Sequence, residues 1–385
     1  MTQQVPALQF IDNDLVREDR GFLPYPDPLP KLPKGNEEFA LYDDLAAELP
    51  QMLYDGTIRA KLEKIPVLPV EKMNHEAALV AFRHLCFLTS AYAWADCVND
   101  IDAPHAKNMP QGLAIPFVKL GKKLNMQPIL AYNMYATQNW TRVDQKKPIR
   151  FENLKLIQHF TIPPYTRDEY GFILPHVEIE AKAAPGLRAI PAAQLAVVNE
   201  NKEGFINALN SMHHALLDMG ETFKTIPSVC SPEVYFKHVR PWIFYFQDIT
   251  YEGVGHFERL KGETGAESPS IISFDCVLGV HHQPSELIDH LTELKDYRAP
   301  REREWILAIE AGPSLRAYAT KNKTDANIRK AFNEAHDALA AFRMLHLEAA
   351  IQYIKKKGRG PIATGGTDYE KFLGKLIEET KENRI

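Results

Sequence analysis

Between Ala326 and Lys357 apolar residues recur at helical spacing for roughly nine turns of 3.6 residues each: Phe332, Ala335, Leu339, Phe342, Ala349 or Ala350, and Tyr353. Thr324 or Asp325 offers an N-cap. Lys355, Lys356 and Lys357, followed by Gly358, make a cationic last turn and a C′ glycine. So long a helix with one apolar stripe can bury that stripe only among other elements, and the rest of the chain supplies more helices. The run HEAALVAFRHLCFLTSAYAWADCV after Asn74 predicts a long, buried helix capped by that asparagine. Helical patterns follow at 204–224, 232–246, 268–280, 285–294, 301–310 and 369–381. Strand-type alternation is scarce, with neither βαβ rhythm nor internal repeat, so the expected class is mainly α.

Proline organises the remainder. Residues 1–70, with FLPYPDPLPKLPKG and KIPVLPV around a short helical pattern at 41–53, read as an extended arm over the rest of the protein. A second break, FTIPPYTRDEYG, divides an N-terminal arm and small helical domain (1–160) from a larger helical domain (161–385). The 45 Lys and Arg against 50 Asp and Glu give a formal charge of −5 without basic clusters, which argues against a nucleic-acid partner. No run reaches the roughly 18 apolar residues of a membrane span, and MTQQVPALQFIDND lacks the features of a secretory leader, so the expected location is cytoplasmic. Cys86, Cys97, Cys230 and Cys276 stand singly in apolar stretches and read as reduced core residues.

HExxH, Walker, GxSxG and strand-leading GxGxxG motifs are absent, which removes the common hydrolase and nucleotide-binding readings. Among the histidines, His213 and His214 read as helix surface, and His281 and His282 as a helix C-terminus. His176-Val177-Glu178-Ile179-Glu180 would put its three polar side chains on one face only as a strand, whereas its surroundings are helical. His346 lies within the apolar stripe of the long helix. A histidine there is more often a satisfied core residue, but Arg343 one turn earlier changes the balance. A porphyrin needs one axial nitrogen donor and cations for its propionates, and i, i+3 residues share a helix face. In SPEVYFKHVRPW, Tyr235 or Phe236 lies about one turn from Arg240. Such a pair suits an aromatic amino acid, or equally a surface ion pair beside core aromatics. Ala363 to Asp368 is a small-residue loop that reads as a connector or as a lid closing on a ligand.

Taken together, these segments resemble the indoleamine 2,3-dioxygenase family of haem proteins. The resemblance runs from about Glu76 to Thr380 and includes AYAWADCVND, LAIPFVKLGKKLNMQPILAYNMYATQNW, SPEVYFKHVRPW, GETGAESPSIISFDCVLGVHH and FRMLHLEAAIQYI followed by ATGGTDYEKFL. It implies two mostly helical domains, with haem b in the larger and the smaller covering the substrate side. It also implies His346 as the iron ligand and Arg343 as the propionate partner. Arg240 falls on the arginine that binds the substrate carboxylate, with Tyr235 and Phe236 on the aromatic wall. Tyr132 falls on a pocket residue from the small domain, Gly262, Thr264, Gly265 and Ala266 on the loop skirting the haem edge, Gly265 on its substrate side, and Thr367 near the substrate ammonium. The implied reaction inserts both atoms of dioxygen across the indole C2–C3 bond of tryptophan to give N-formylkynurenine, with an electron donor keeping the haem reduced.

The sequence departs from the animal enzymes where Tyr235 replaces a phenylalanine and Tyr135 a cysteine. Leu174, Pro175 or His176 falls at the distal position, where His176 could bond the indole or dioxygen. Ala363 opens the closing loop in place of glycine. The alternatives are a haem-binding sensor or carrier that retains His346 without turnover, which has no need of Arg240, and a haem dioxygenase or monooxygenase acting on a modified tryptophan in secondary metabolism.

Overall fold

Side chains at helix starts satisfy amides that the helix itself leaves unpaired. In the computed structural model, which describes residues 5–354, 362–366 and 368–385, Asn74 accepts from the Ala77 amide at 2.8 Å. Asp325 accepts from Asn327 and Ile328, and Asp368 from Lys371. The longer helices are α1 (Ala40–Tyr54), α2 (His75–Ala93), α3 (Gln111–Leu124), α4 (Thr166–Lys182), α5 (Ala184–Val198), α6 (Lys202–Phe223), α7 (Pro269–Leu278), α8 (Pro300–Glu310), α9 (Ala326–Tyr353) and α10 (Tyr369–Glu382). The fold is mainly α, as expected. The lysines and glycine assigned to the end of the long helix lie outside the described residues.

Among the described residues there are five short strands: β1 (Asn108–Met109), β2 (Trp140–Arg142), β3 (Leu154–Leu156), β4 (Phe246–Tyr251) and β5 (Gly255–Leu260). β4 and β5 form an antiparallel hairpin with Phe246 opposite Leu260, and β1 lies parallel on the other edge of β4. β2 and β3 pair antiparallel. The hairpin corrects the helix expected over 232–246. Only Pro232–Val234 is α-helical there, followed by a π turn over Tyr235–Val239 and a 3₁₀ turn over Arg240–Ile243. Pro241 brings no N–H and cannot continue an i→i−4 ladder, so the chain leaves the helix and enters β4.

The buried apolar residues form two clusters. The first gathers α1, α2 and α3 around Trp140, Phe160, Trp242 and the inner face of β4. The second gathers α5 to α9 and takes in the start of the chain, where Phe10 and Phe22 meet the Trp305 ring edge-on at 5.8 and 5.9 Å. α4 lies between them, giving Ile173, Leu174 and Val177 to the first and Ile179 to the second. The four cysteines are free thiols. Among the described residues no helix is long and apolar enough to cross a membrane.

Candidate functional site

The apolar stripe of α9 is interrupted at His346, which lies on the wall of a cavity of about 220 Å³ among Phe223, Ile271, Phe342 and Ala350. Among the described residues neither ring nitrogen makes a hydrogen bond. Phe223 meets the ring edge-on at 6.0 Å. Burial, then the neighbouring His176, push the His346 pKa down to about 4, so at neutral pH the imidazole is uncharged with a lone pair facing the cavity. Gly265 packs against the same edge: a Cβ there would lie 3.5 Å from Cε1 and 3.7 Å from Nε2.

Arg343, one turn earlier, also reaches the wall, but its fork turns toward α7 and α10. It donates to Asp275, to Thr380 and, at 3.4 Å, to the Leu376 carbonyl. Asp275 accepts in addition from His282 Nε2 at 2.7 Å, and His282 Nδ1 meets Glu379 at 2.6 Å. His282 is therefore the middle of a buried charge row rather than a helix-end cap. Burial opposes its charge, but the bonds to Asp275 and Glu379 outweigh that and hold its pKa above the ordinary value.

α4 presents His176 to the same cavity, while Leu174 and Pro175 are buried and do not line it. His176 Nδ1 bonds the Phe172 carbonyl at 2.7 Å, so Nδ1 carries the hydrogen and Nε2 is an acceptor. Glu180, one turn further on, is fully buried and accepts from Tyr132 Oη at 3.0 Å, Ser268 Oγ at 2.6 Å and Ser270 Oγ. The motif His176 to Glu180 is thus helical. Among the described residues no cluster of His, Cys, Asp and Glu is arranged to hold a metal ion.

Two π turns place the aromatic walls. One follows Tyr132, with Gln138 N bonded to Asn133 O at 2.8 Å. The other bonds the Arg240 amide to Tyr235 O. Each widened turn adds a residue between wall and anchor, a distortion that recurs at binding sites. Tyr132 and Tyr235 line the cavity. Arg240 and Phe236 stand behind it: Arg240 donates to Ile362 O at 2.6 Å and lies 4.3 Å over the Phe244 ring.

The loop from Gly262 to Ser268 forms another wall and is held at several points. Gly262 permits a close approach, since a Cβ would lie 2.5 Å from Ile243 O and from the backbone of Phe244 and Tyr245. Arg298 grips the Ala266 and Glu267 carbonyls at 2.7 and 3.2 Å, and the Glu267 carboxylate accepts from Tyr132 N at 2.7 Å. Thr364, in the closing loop, donates to Glu263 O and accepts from Tyr245 N at 2.9 Å.

Of the residues expected from sequence, the cavity brings together His346, Arg343, Tyr132, Tyr235, His176, Thr264, Gly265 and Ala266. Gly262 is a packing glycine at its edge, and Thr367 lies outside the described residues. Sequence reasoning missed Glu263 and Glu267, whose signal is the unusual GETGAES run, and His290, a wall residue whose Nδ1 meets Lys261 Nζ at 2.6 Å; it weighed Glu180 only as one polar member of the motif from His176.

A helical scaffold thus holds an uncharged nitrogen donor on the wall of an aromatic-lined cavity. Known proteins define it further. The sequence pattern described as Indoleamine 2,3-dioxygenase matches residues 14–362. Indoleamine 2,3-dioxygenase 1 of Rattus norvegicus is 29% identical, covering 95% of this chain and 94% of its own. Indoleamine 2,3-dioxygenase 2 of Homo sapiens is also 29% identical, over 96% and 94%. A 6-hydroxytryptophan 2,3-dioxygenase of Fusarium equiseti is 24% identical, over 87% and 82%. The chain belongs to the indoleamine 2,3-dioxygenase family and is an oxidoreductase of that dioxygenase class.

Proposed function

We propose that the protein is a haem-dependent dioxygenase that opens the indole ring of L-tryptophan or a close derivative, inserting both atoms of dioxygen across C2–C3 to give the N-formylkynurenine product. The observation that carries this reading is His346: an uncharged, unbonded imidazole facing an apolar cavity is the donor that a haem iron takes. The bare edge of Gly265 beside Nε2 and the cation Arg343 on the same wall fit a flat, dianionic macrocycle. Bound there, haem b supplies the activation of dioxygen; the protein's part is binding and orientation.

His346 holds the iron. Arg343, already charge-paired to Asp275, presents its remaining N–H capacity to a propionate, and Thr264 and Ala266 border the ring edge. On the substrate side Tyr235 and Tyr132 enclose the indole with Phe236 and Arg240 behind them, and Arg240 is assigned the substrate carboxylate as a bidentate partner. His176 Nε2, fixed as an acceptor, suits the indole N–H. Positioning is the protein's main contribution. We assign the substrate cover to residues 1–160 and the haem site to 161–385, with an electron donor in the cytoplasm keeping the haem reduced. The 6-hydroxytryptophan specificity in the name of the Fusarium relative extends the substrates worth testing to ring-hydroxylated tryptophans.

The test is His346→Ala beside the unaltered protein, each reconstituted with haem, reduced under air and given L-tryptophan or 6-hydroxytryptophan. The expected result is a Soret band and product in the unaltered protein, and loss of most haem in the variant. Full haem retention with an unaltered Soret band would move the ligand assignment to another histidine. A Soret band with no product from either substrate would favour the sensor or carrier.

A further inference from the structure

Glu263 is the buried acid that the assignments above leave without a task. Its side chain is 7% exposed and lies on the cavity wall, and among the described residues its carboxylate has neither a hydrogen-bond donor nor a cation. Its backbone is held on both sides: Gly262 is packed against residues 243–245, and the Glu263 carbonyl accepts from Thr364. A buried carboxylate without a partner is unfavourable, and burial pushes this one up to about 8. Residues that serve only packing rarely carry such a group, whereas a site that receives a cation does.

The closing loop locates it relative to the proposed carboxylate anchor. Ile362 O accepts from Arg240, and Thr364 Oγ1 donates to Glu263 O, so the two anchors touch the ends of a three-residue segment. Two residues of extended chain span at most about 7 Å. Arg240 and Glu263 both lie near enough to the Tyr235 hydroxyl to act on it electrostatically, with opposite signs. The head group of an α-amino acid offers a carboxylate to a guanidinium and an ammonium to a carboxylate.

We infer that Glu263 receives the ammonium group of the substrate, opposite Arg240, and thereby selects zwitterionic indole amino acids over indole acids. The inference rests on the proposed tryptophan-cleaving function and goes beyond it in naming an acidic partner for the amine. Glu263 acts by positioning: it holds the amino-acid head group of the substrate while the ring lies on the aromatic wall.

The experiment uses the full haem-loaded chain with Glu263→Gln and Glu263→Asp. KM and kcat are measured for L-tryptophan, the dissociation constant is measured for indole-3-propionate, which keeps the ring and carboxylate but lacks the amine, and haem content is determined for each variant. Glu263→Gln is expected to raise KM for L-tryptophan by 10-fold or more with the loss falling on KM rather than kcat, to leave indole-3-propionate binding and haem content within twofold, and to be partly rescued by Glu263→Asp. A KM within twofold of the unaltered protein overturns the inference, as does equal weakening of both ligands, which marks a general packing role. If the unaltered haem protein neither binds nor turns over L-tryptophan, the functional reading falls and takes this inference with it; unchanged KM in an active variant removes the inference alone.

Discussion

Asp275→Asn removes the one negative charge that stands between Arg343 and His282 inside the protein. Asp275 and Arg343 are 6% and 7% exposed at the side chain, so solvent screens the pair little. Burial works against the Asp275 charge, but Arg343 and His282 outweigh it and hold the carboxyl below its ordinary value. Taking one partner from a buried ion pair costs about 3–5 kcal/mol, because the other charge stays buried and uncompensated. Asparagine keeps an oxygen for one of the two donors, so the lower end, about 3 kcal/mol, applies. With a urea slope of about 3 kcal/mol per molar, the unfolding midpoint should fall by about 1 M. The pH dependence follows from two signs. The depressed Asp275 carboxyl contributes stability above the ordinary carboxylate value of about 3.9 and loses it as pH falls through its folded value. The raised His282 contributes stability below about 6.5 and loses it as pH rises through its folded value. The gap between the unaltered chain and the variant should therefore be widest from about pH 4 to 6.5, read by far-ultraviolet circular dichroism in urea. A midpoint shift under about 0.2 M at pH 6 would refute the charge-row account. The double variant Asp275→Leu with Arg343→Met should recover most of the stability, since an apolar pair of similar volume replaces a buried ion pair at little cost.

Gly262→Ala places a Cβ 2.5 Å from backbone atoms that cannot rotate away, and should destabilise by about 1–3 kcal/mol and impair haem uptake. Gly265→Ala meets only ordinary contacts at 3.5 and 3.7 Å and should be nearly neutral in thermal unfolding; equal effects at the two glycines would contradict the packing described for this loop. Glu302, buried on α8, is pushed up to about 7, chiefly by burial. Its folded value lies above the unfolded one, so its contribution is complete below the ordinary value of about 4.3 and is lost as pH rises through 7. Glu302→Gln should flatten the fall in unfolding free energy between about pH 5 and 7, and parallel pH profiles of variant and unaltered chain would count against that burial.

Helices that bury a periodic stripe and carry a capping side chain were legible: α2 with Asn74, α9 with Asp325, and α7 with Ser268, which accepts from Ile271 N. Pro232 to Phe246 was not, because its apolar spacing is compatible with a helix while Pro241 and the pairing partner of β4 decide otherwise. That partner, β5, holds Leu260 opposite Phe246, and the burial along β4 does not alternate, so no period-two pattern announced the hairpin. The histidine pair after α7 shows a different failure. Their position after Leu278 reads as a helix end, yet Gly279, at φ 65°, completes that end and leaves His282 for Glu379, 97 positions later.

The site divides along the same line. His346 and Arg343 lie three residues apart, so one helix explains their shared side. Helical geometry also puts them about 60° apart around the axis, and that offset lets one face the cavity while the other reaches Asp275. Every other anchor depends on distant chain: Tyr132 on Glu180 and Glu267, Arg240 on Ile362, and the Glu263 backbone on Thr364. An acidic residue in a glycine-flanked run reads as solvated turn, since carboxylates are rarely buried alone. Burial inverts that reading. A core asks only for apolar side chains at the right period, so sequence periodicity finds it. A binding site instead needs charge where solvent is absent, at residues whose local composition assigns them to the surface, and only the folded chain shows which of those charges face inward.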